Sequence, residues 1–172
     1  MTREERLARD GVTDPVLFYG GPFSNFSPLP VWMPIPPEFA GGREDERHEF
    51  ETSEHYYQAM KCVTANEFWA VARVDGPGAC KRLGQTVQLR PDWGDTRDGV
   101  CYAVMLAVLF AKTEQHADVR VALEQTGDRH IYEDSPTDNI WGWRRGDDYG
   151  GRNLLGEALM EVRVTRRELG RQ

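Results

Sequence analysis

Apolar and polar positions alternate along this chain with two different periods. Near the N-terminus the apolar runs are short. Val16-Leu17-Phe18-Tyr19 is closed by Gly20-Gly21-Pro22, and Val31-Trp32-Met33 by Pro34, so both read as strands. His48-Glu49-Phe50-Glu51 is a third strand. It is separated from the second by the Pro-, Gly- and charge-rich stretch 36–47, a hairpin connection or surface insert. Helical spacing dominates afterwards. The pattern predicts helices from Glu54, over Asn66–Arg73, and over Pro77–Leu83 with Pro77 in a tolerated first-turn position. A longer helix is expected from about Thr96 to Gln115, capped by Asp95 or Thr96. Apolar residues cover nearly all its sides, which predicts burial at the centre. A helix over 117–125 stopped by Gly127, a strand over 129–133 and an amphipathic helix over Asn153–Leu169 complete the chain. That last helix turns Leu154, Leu155, Ala158, Leu159 and Val162 inward. No repeat or heptad seam interrupts the pattern. The expected fold class is α+β: a single compact domain over residues 15–169, mainly helical with a small β-sheet. A polar arm with helical potential precedes it over residues 1–14.

Composition narrows the class. With 172 residues, 40% hydrophobic and 10% aromatic, the chain can bury a core as one domain and is not disordered in character. Cys62, Cys80 and Cys101 are odd in number and widely spaced, which fits neither a disulfide framework nor a zinc site. A reducing, cytoplasmic setting is expected. Met1–Asp10 is charged throughout, unlike a secretory signal. The apolar stretch Val100–Ala111 is shorter than the roughly 20 residues that cross a bilayer. A net charge of −7 argues against a broad nucleic-acid footprint. Arginines nevertheless gather in two places. Arg144, Arg145 and Arg152 sit in a glycine-rich loop, whereas Arg163, Arg166 and Arg167 read as a solvated helix end that complements the dipole.

Against this background one segment concentrates chemistry. In Thr52–Lys61, Glu54, Tyr57, Gln58 and Lys61 stand at i, i+3, i+4 and i+7 and share one helix face. Thr52 or Ser53 can cap that helix, leaving Glu54 in the first turn, where the macrodipole favours its ionised form. An ionised carboxylate there suits a base, a nucleophile or a stabiliser of developing positive charge. First-turn acids are also common for purely structural reasons. His55 points off this face and reads as structural or as a support behind the site residues.

Other clusters are weaker. Phe23-Ser24-Asn25-Phe26 offers two rings and two hydrogen-bonding side chains to a planar ligand, or is simply a turn with aromatic anchors. Trp93, beside turn and cap residues, reads first as a core plug and second as a stacking face. Residues 134–143 hold two carboxylates, an amide and two indoles. Asp138 and Trp141 can there present an acceptor and a stacking face to one sugar–base unit. Gly146 to Asn153 is a glycine-rich turn feeding a helix start, able to hold phosphate on backbone N–H groups with Arg152 adding charge. The histidines lack ligand spacing, so no metal and no cofactor are expected.

In chain order these segments resemble the NADAR (YbiA-like) family. The resemblance runs from Leu17-Phe18-Tyr19 to Met160-Glu161-Val162-Arg163. It rests on Phe23-Ser24-Asn25-Phe26, the Ser53–Lys61 helix, Asp92-Trp93 and Leu123 to Gly127. Asp138-Asn139-Ile140-Trp141-Gly142 and Gly151-Arg152-Asn153-Leu154-Leu155-Gly156 complete it. The chain departs from the family pattern at Gln85, at Thr113 and in the highly charged loop 143–148. The resemblance implies hydrolysis of an N-glycosidic bond between a ribosyl group and an amine or base, with Glu54 and Asp138 catalytic. Phe23, Ser24, Asn25, Lys61, Trp93, Trp141, Arg152 and Asn153 would contact substrate. It leaves two small-molecule substrates open: a phosphoribosyl intermediate of the riboflavin pathway, or an ADP-ribosyl group on a single guanine base. Neither a membrane nor a cofactor is implied. The rival reading is a non-catalytic module that binds ADP-ribose or another NAD-derived ligand.

Overall fold

A computed structural model describes residues 1–146 and 149–171. Backbone contacts group the chain into two units: residues 25–117, and residues 1–24 with 118–172. The described residues form seven α-helices and two separate two-stranded sheets.

In the unit of residues 25–117, β2 (Val31–Pro34) pairs antiparallel with β3 (Arg47–Phe50), Val31 opposite Phe50 and Met33 opposite His48. Val31 and Met33 are buried and Trp32 is exposed, the alternation expected of a half-covered strand. Helix α2 (Ser53–Ala59) follows β3 at once. It packs against α3 (Ala65–Ala72), α4 (Pro77–Gly84) and α5 (Val100–Gln115), which explains why every one of its residues is buried. The Thr64 hydroxyl caps α3 by accepting from Glu67 N. Pro77 opens α4 after Gly76, whose φ of +79° suits glycine.

The long helix starts later than its sequence pattern suggests. Neither Asp95 nor Thr96 caps it; Gly99 occupies that position without a side-chain cap. Its first N–H groups are satisfied by backbone instead, Val100 N donating to Asp92 O (3.4 Å) and Cys101 N to Trp93 O (2.9 Å). A Cβ on Gly99 would stand 2.8 Å from Trp93 O, so only glycine allows this close approach. Nor is α5 buried all round. Cys101, Met105, Val108 and Leu109 lie on the covered face, while Ala103 and Ala107 are exposed. The apolar residues that blurred the period there are small alanines. Lys112, 1% exposed, is a buried cation on a helix whose centre reads as apolar.

In the other unit, α1 (Arg3–Arg9) begins with a capping box between Thr2 and Glu5. The N-terminal segment is tied down: Arg6 Nε donates to Tyr149 O and Tyr149 N to Met1 O. Strand β1 (Val16–Phe18) runs parallel to β4 (Ile131–Glu133). A short 3-10 turn (Gly21–Phe23) follows β1, and α6 spans Ala117–Gln125. Helix α7 (Leu154–Leu169) packs on β4 through the apolar stripe read from the sequence, all five of whose residues are buried. Among the described residues no helix is long and apolar enough to cross a membrane.

Candidate functional site

Within residues 25–117 the polar groups converge at the start of α2. Thr52 stands at the N-cap position, but its hydroxyl does not cap the helix. It meets His55 Nδ1 at 2.8 Å, while His55 Nε2 lies 2.9 Å from Val74 O. A carbonyl can only accept, so Nε2 carries a proton and donates to it. His55 is fully buried and holds the start of α2 to the loop after α3. Glu54 N donates to Asn25 O at 3.1 Å, which fixes Asn25 beside the helix start.

The Glu54 carboxylate is 5% exposed and accepts from Gln58 Nε2 at 2.7 Å through Oε1. Gln58 lies one turn along α2, the i+4 spacing legible in the sequence. Its position depends on Gly84 of α4, where a Cβ would come within 2.9 Å of Gln58 Cβ and closer still to its amide oxygen. Nothing in the sequence signals that requirement. Two buried acceptors, Gln58 Oε1 and Asn25 Oδ1, have no hydrogen-bond partner among the described residues. Asn25 Nδ2 meets only the sulfur of Met105, at 3.2 Å. Buried acceptors without donors cost about 1–3 kcal/mol each, so this end of α2 carries capacity that the fold leaves unused.

Lys61 closes the same face. Its Nζ lies 5.2 Å from the Tyr57 ring centre and 6.0 Å from that of Trp93, within range of cation–π attraction. Burial pushes the Lys61 ammonium below the usual lysine range, the nearby Glu54 carboxylate opposes this, and Lys81 adds to it. Tyr57 and Trp93 pack with ring centres 5.1 Å apart, and Trp93 is only 4% exposed. The indole is therefore packed into this face rather than exposed on a loop. Phe26 is exposed, with Lys81 Nζ 5.9 Å from its ring, a contact that the sequence did not signal.

The remaining predicted residues fall in the other unit, and their groups are used differently. Asp138 Oδ1 accepts from Ile140 N and Trp141 N, both at 2.9 Å, closing its own loop in an Asx turn. The Ser135 hydroxyl accepts from Asp138 N at 2.9 Å. Trp141 is half-buried, and Phe23 is buried edge-on against Phe18. Ser24 N closes the 3-10 turn on Gly21 O.

The helix start at Asn153 offers a phosphate fewer N–H groups than its sequence suggests. Arg152, Asn153, Leu154 and Leu155 donate theirs to the carbonyls of Asn139, Gly142, Ile140 and Trp141. Asn153 itself is buried with φ of 54°. Its amide is spent on β4, Nδ2 donating to Ile131 O (2.8 Å) and Oδ1 accepting from Glu133 N (3.0 Å). It ties the start of α7 to β4. Arg152 is exposed; Asp147 and Asp148 of the same loop lie outside the described residues.

No group of three His, Cys, Asp or Glu side chains among the described residues is placed to hold a metal. The three cysteines are buried and free, and burial pushes the Cys62 thiol up to about 12. They are packing residues rather than nucleophiles at neutral pH.

The chain is similar to known proteins in sequence and in fold. The NADAR domain family model matches residues 17–167. An N-glycosidase of Nostoc punctiforme is 36% identical over 154 residues, covering 87% of each chain. The riboflavin biosynthesis protein PYRR of Zea mays chloroplasts is 31% identical over 158 residues, 83% of this chain but 23% of that one. The solution structure of Escherichia coli YbiA superposes with a TM-score of 0.72 at 30% identity, over 94% of this chain and 90% of that chain. Family match, identity and shared fold agree, and the chain belongs to the NADAR domain family.

Proposed function

We propose that this protein is an N-glycosidase, a hydrolase that cleaves the C–N bond between a ribosyl group and an amine or base. One observation carries the reading. Glu54 is buried, gripped by Gln58 and electrostatically coupled to Lys61, on a helix whose neighbourhood retains two unused acceptors. Breaking an N-glycosidic bond develops positive charge on the ribose carbon. An ionised carboxylate held in a fixed orientation in a poorly solvated place stabilises that charge, or takes a proton from the attacking water. Gln58 keeps one carboxylate oxygen aimed without neutralising it. The unused amide oxygens of Asn25 and Gln58 suit hydroxyl or amino groups of a sugar or base.

The names of the relatives support the same class: N-glycosidase for the bacterial proteins and riboflavin biosynthesis for the maize protein. They favour a phosphoribosylaminopyrimidine over ADP-ribosylated guanine as substrate. Asp138 remains our candidate second carboxylate. Its Oδ1 is committed to the loop, so its contribution rests on its charge. We keep Trp141 and Arg152 as candidate base and phosphate contacts, and Phe23 and Ser24 as further candidate substrate contacts. Incubating the protein with each substrate and measuring released ribosyl product tests the proposal. Release from the aminopyrimidine supports it, release from modified guanine alone changes the substrate, and tight binding without release in either case makes the protein a ligand-binding module.

A further inference from the structure

Helices α6 and α7 line a cavity of about 350 Å³ whose chemistry the glycosidase reading does not use. Five arginines face it, Arg120 from α6 and Arg163, Arg166, Arg167 and Arg171 from α7 and its end, against the single carboxylate of Glu124. This is a pronounced local excess of positive charge in a chain of net charge −7. The sequence reads 163–167 as a solvated helix end, and cations do complement a helix C-terminus. That account covers neither Arg120, near the start of its own helix, nor the burial of Arg163.

Arg163 is 6% exposed. Its Nη1 donates to the Thr126 hydroxyl (2.6 Å) and to Arg129 O (3.0 Å), both neutral acceptors. Among the described residues its Nε has no hydrogen-bond partner, and no carboxylate forms an ion pair with it. The nearest acid, Asp128, is engaged by Arg167 at 2.6 Å. Burial and the neighbouring Arg167 disfavour the charged guanidinium, and Asp128, itself paired with Arg167, opposes them only in part. A buried cation without an ion pair of its own is costly, and an anion in the adjoining cavity would offset that cost. Planar guanidinium forks match phosphate oxygens, and several forks around one cavity suit a multiply charged group. The volume lies at the small end of ligand pockets, which run from about 300 to 1,000 Å³, so it fits a small molecule.

We propose that the α6–α7 cavity is a binding site for a small phosphorylated anion. Calorimetric titration of the full chain with inorganic pyrophosphate at constant ionic strength tests this. Saturable binding is expected. The double substitution Arg120→Gln/Arg171→Gln, which spares the hydrogen bonds of Arg163 and Arg167, should weaken it by about tenfold or more. Glu124→Gln removes the one carboxylate among the lining residues and should tighten it, a gain that misfolding cannot imitate. Arg152→Ala should leave it unchanged. Absence of saturable binding, equal affinity in the double variant, or loss in Arg152→Ala instead would overturn the proposal. If circular dichroism shows the double variant unfolded, Glu124→Gln decides: tighter binding supports the site, and unchanged or weaker binding overturns it.

Discussion

Residues 52–61 and residues 134–153 carry similar mixtures of carboxylate, amide and aromatic side chains, yet their hydrogen bonds go to different places. In the first segment Glu54 bonds to another side chain, and acceptors on Gln58 and Asn25 find no donor among the described residues. In the second, Asp138 Oδ1, the Ser135 hydroxyl and both ends of the Asn153 amide bond to backbone. The fold spends the second set on its own construction, because loop 139–142 must satisfy the N–H groups at the start of α7. Among the described residues it leaves the Gln58 and Asn25 acceptors beside Glu54 unspent, whereas the unpartnered buried atoms of the second segment, Asp134 Oδ1 and the Tyr149 hydroxyl, lie outside its predicted site residues. Polar density alone therefore does not mark a site; unspent polar capacity on a rigid, buried element is the better sign.

The sharpest way to break this contrast is at Glu54. Glu54→Gln keeps shape and hydrogen bonding but removes the charge. Turnover should fall by roughly 10²–10⁴-fold with unchanged melting temperature. Wild-type turnover in a folded variant would remove Glu54 from the chemistry.

Trp93→Ala comes next. Because the indole is buried against Tyr57, the loss should appear as stability, about 3–5 kcal/mol in denaturant unfolding. A large fall in substrate affinity at unchanged stability would instead make Trp93 a stacking platform.

Asn153→Ala probes the opposite side of the comparison. It strips two hydrogen bonds from β4 and should cost about 1–3 kcal/mol while kcat/KM stays near wild type. Normal stability with a raised KM would return Asn153 to the substrate.

Asp138 lies between these cases, and two substitutions separate its roles. Asp138→Asn retains an acceptor for Ile140 N and Trp141 N, so it should lower turnover without lowering the melting temperature. Asp138→Ala should lower both. Unimpaired turnover in Asp138→Asn would leave the residue with a loop-closing role alone.

The smallest effect concerns Lys61. Burial lowers its folded-state pKa, so the charged form is destabilising below that pKa. Above it the folded state gives up its proton while the unfolded state keeps one up to the ordinary lysine value. Stability therefore gains a positive contribution as pH rises through that window. Lys61→Met should lack this alkaline gain in pH-dependent unfolding; an identical pH profile would show that the ammonium is effectively solvated.

The elements were largely legible because burial imposes a period: the α7 stripe and the β2 alternation follow directly from which residues face the interior. The start of α5 was not legible. Capping by the carbonyls of Asp92 and Trp93 leaves no side-chain signal, only a glycine at 99 that looks like any other. Of the candidate site, the Glu54–Gln58 pair was legible from i+4 spacing on one helix. The use of Gly84 to admit Gln58 was not, since it joins two helices whose residues are far apart in sequence.

By itself the sequence determined the family, the order of helices and strands, and the helical face that presents Glu54, because local spacing and short motifs encode all three. Only the tertiary structure decided which polar groups were consumed by backbone and which remained available. It also turned Arg163 from a solvated cation into a buried one beside a cavity. Burial and hydrogen-bond satisfaction are properties of neighbours brought together by packing, and no residue carries them in its own identity.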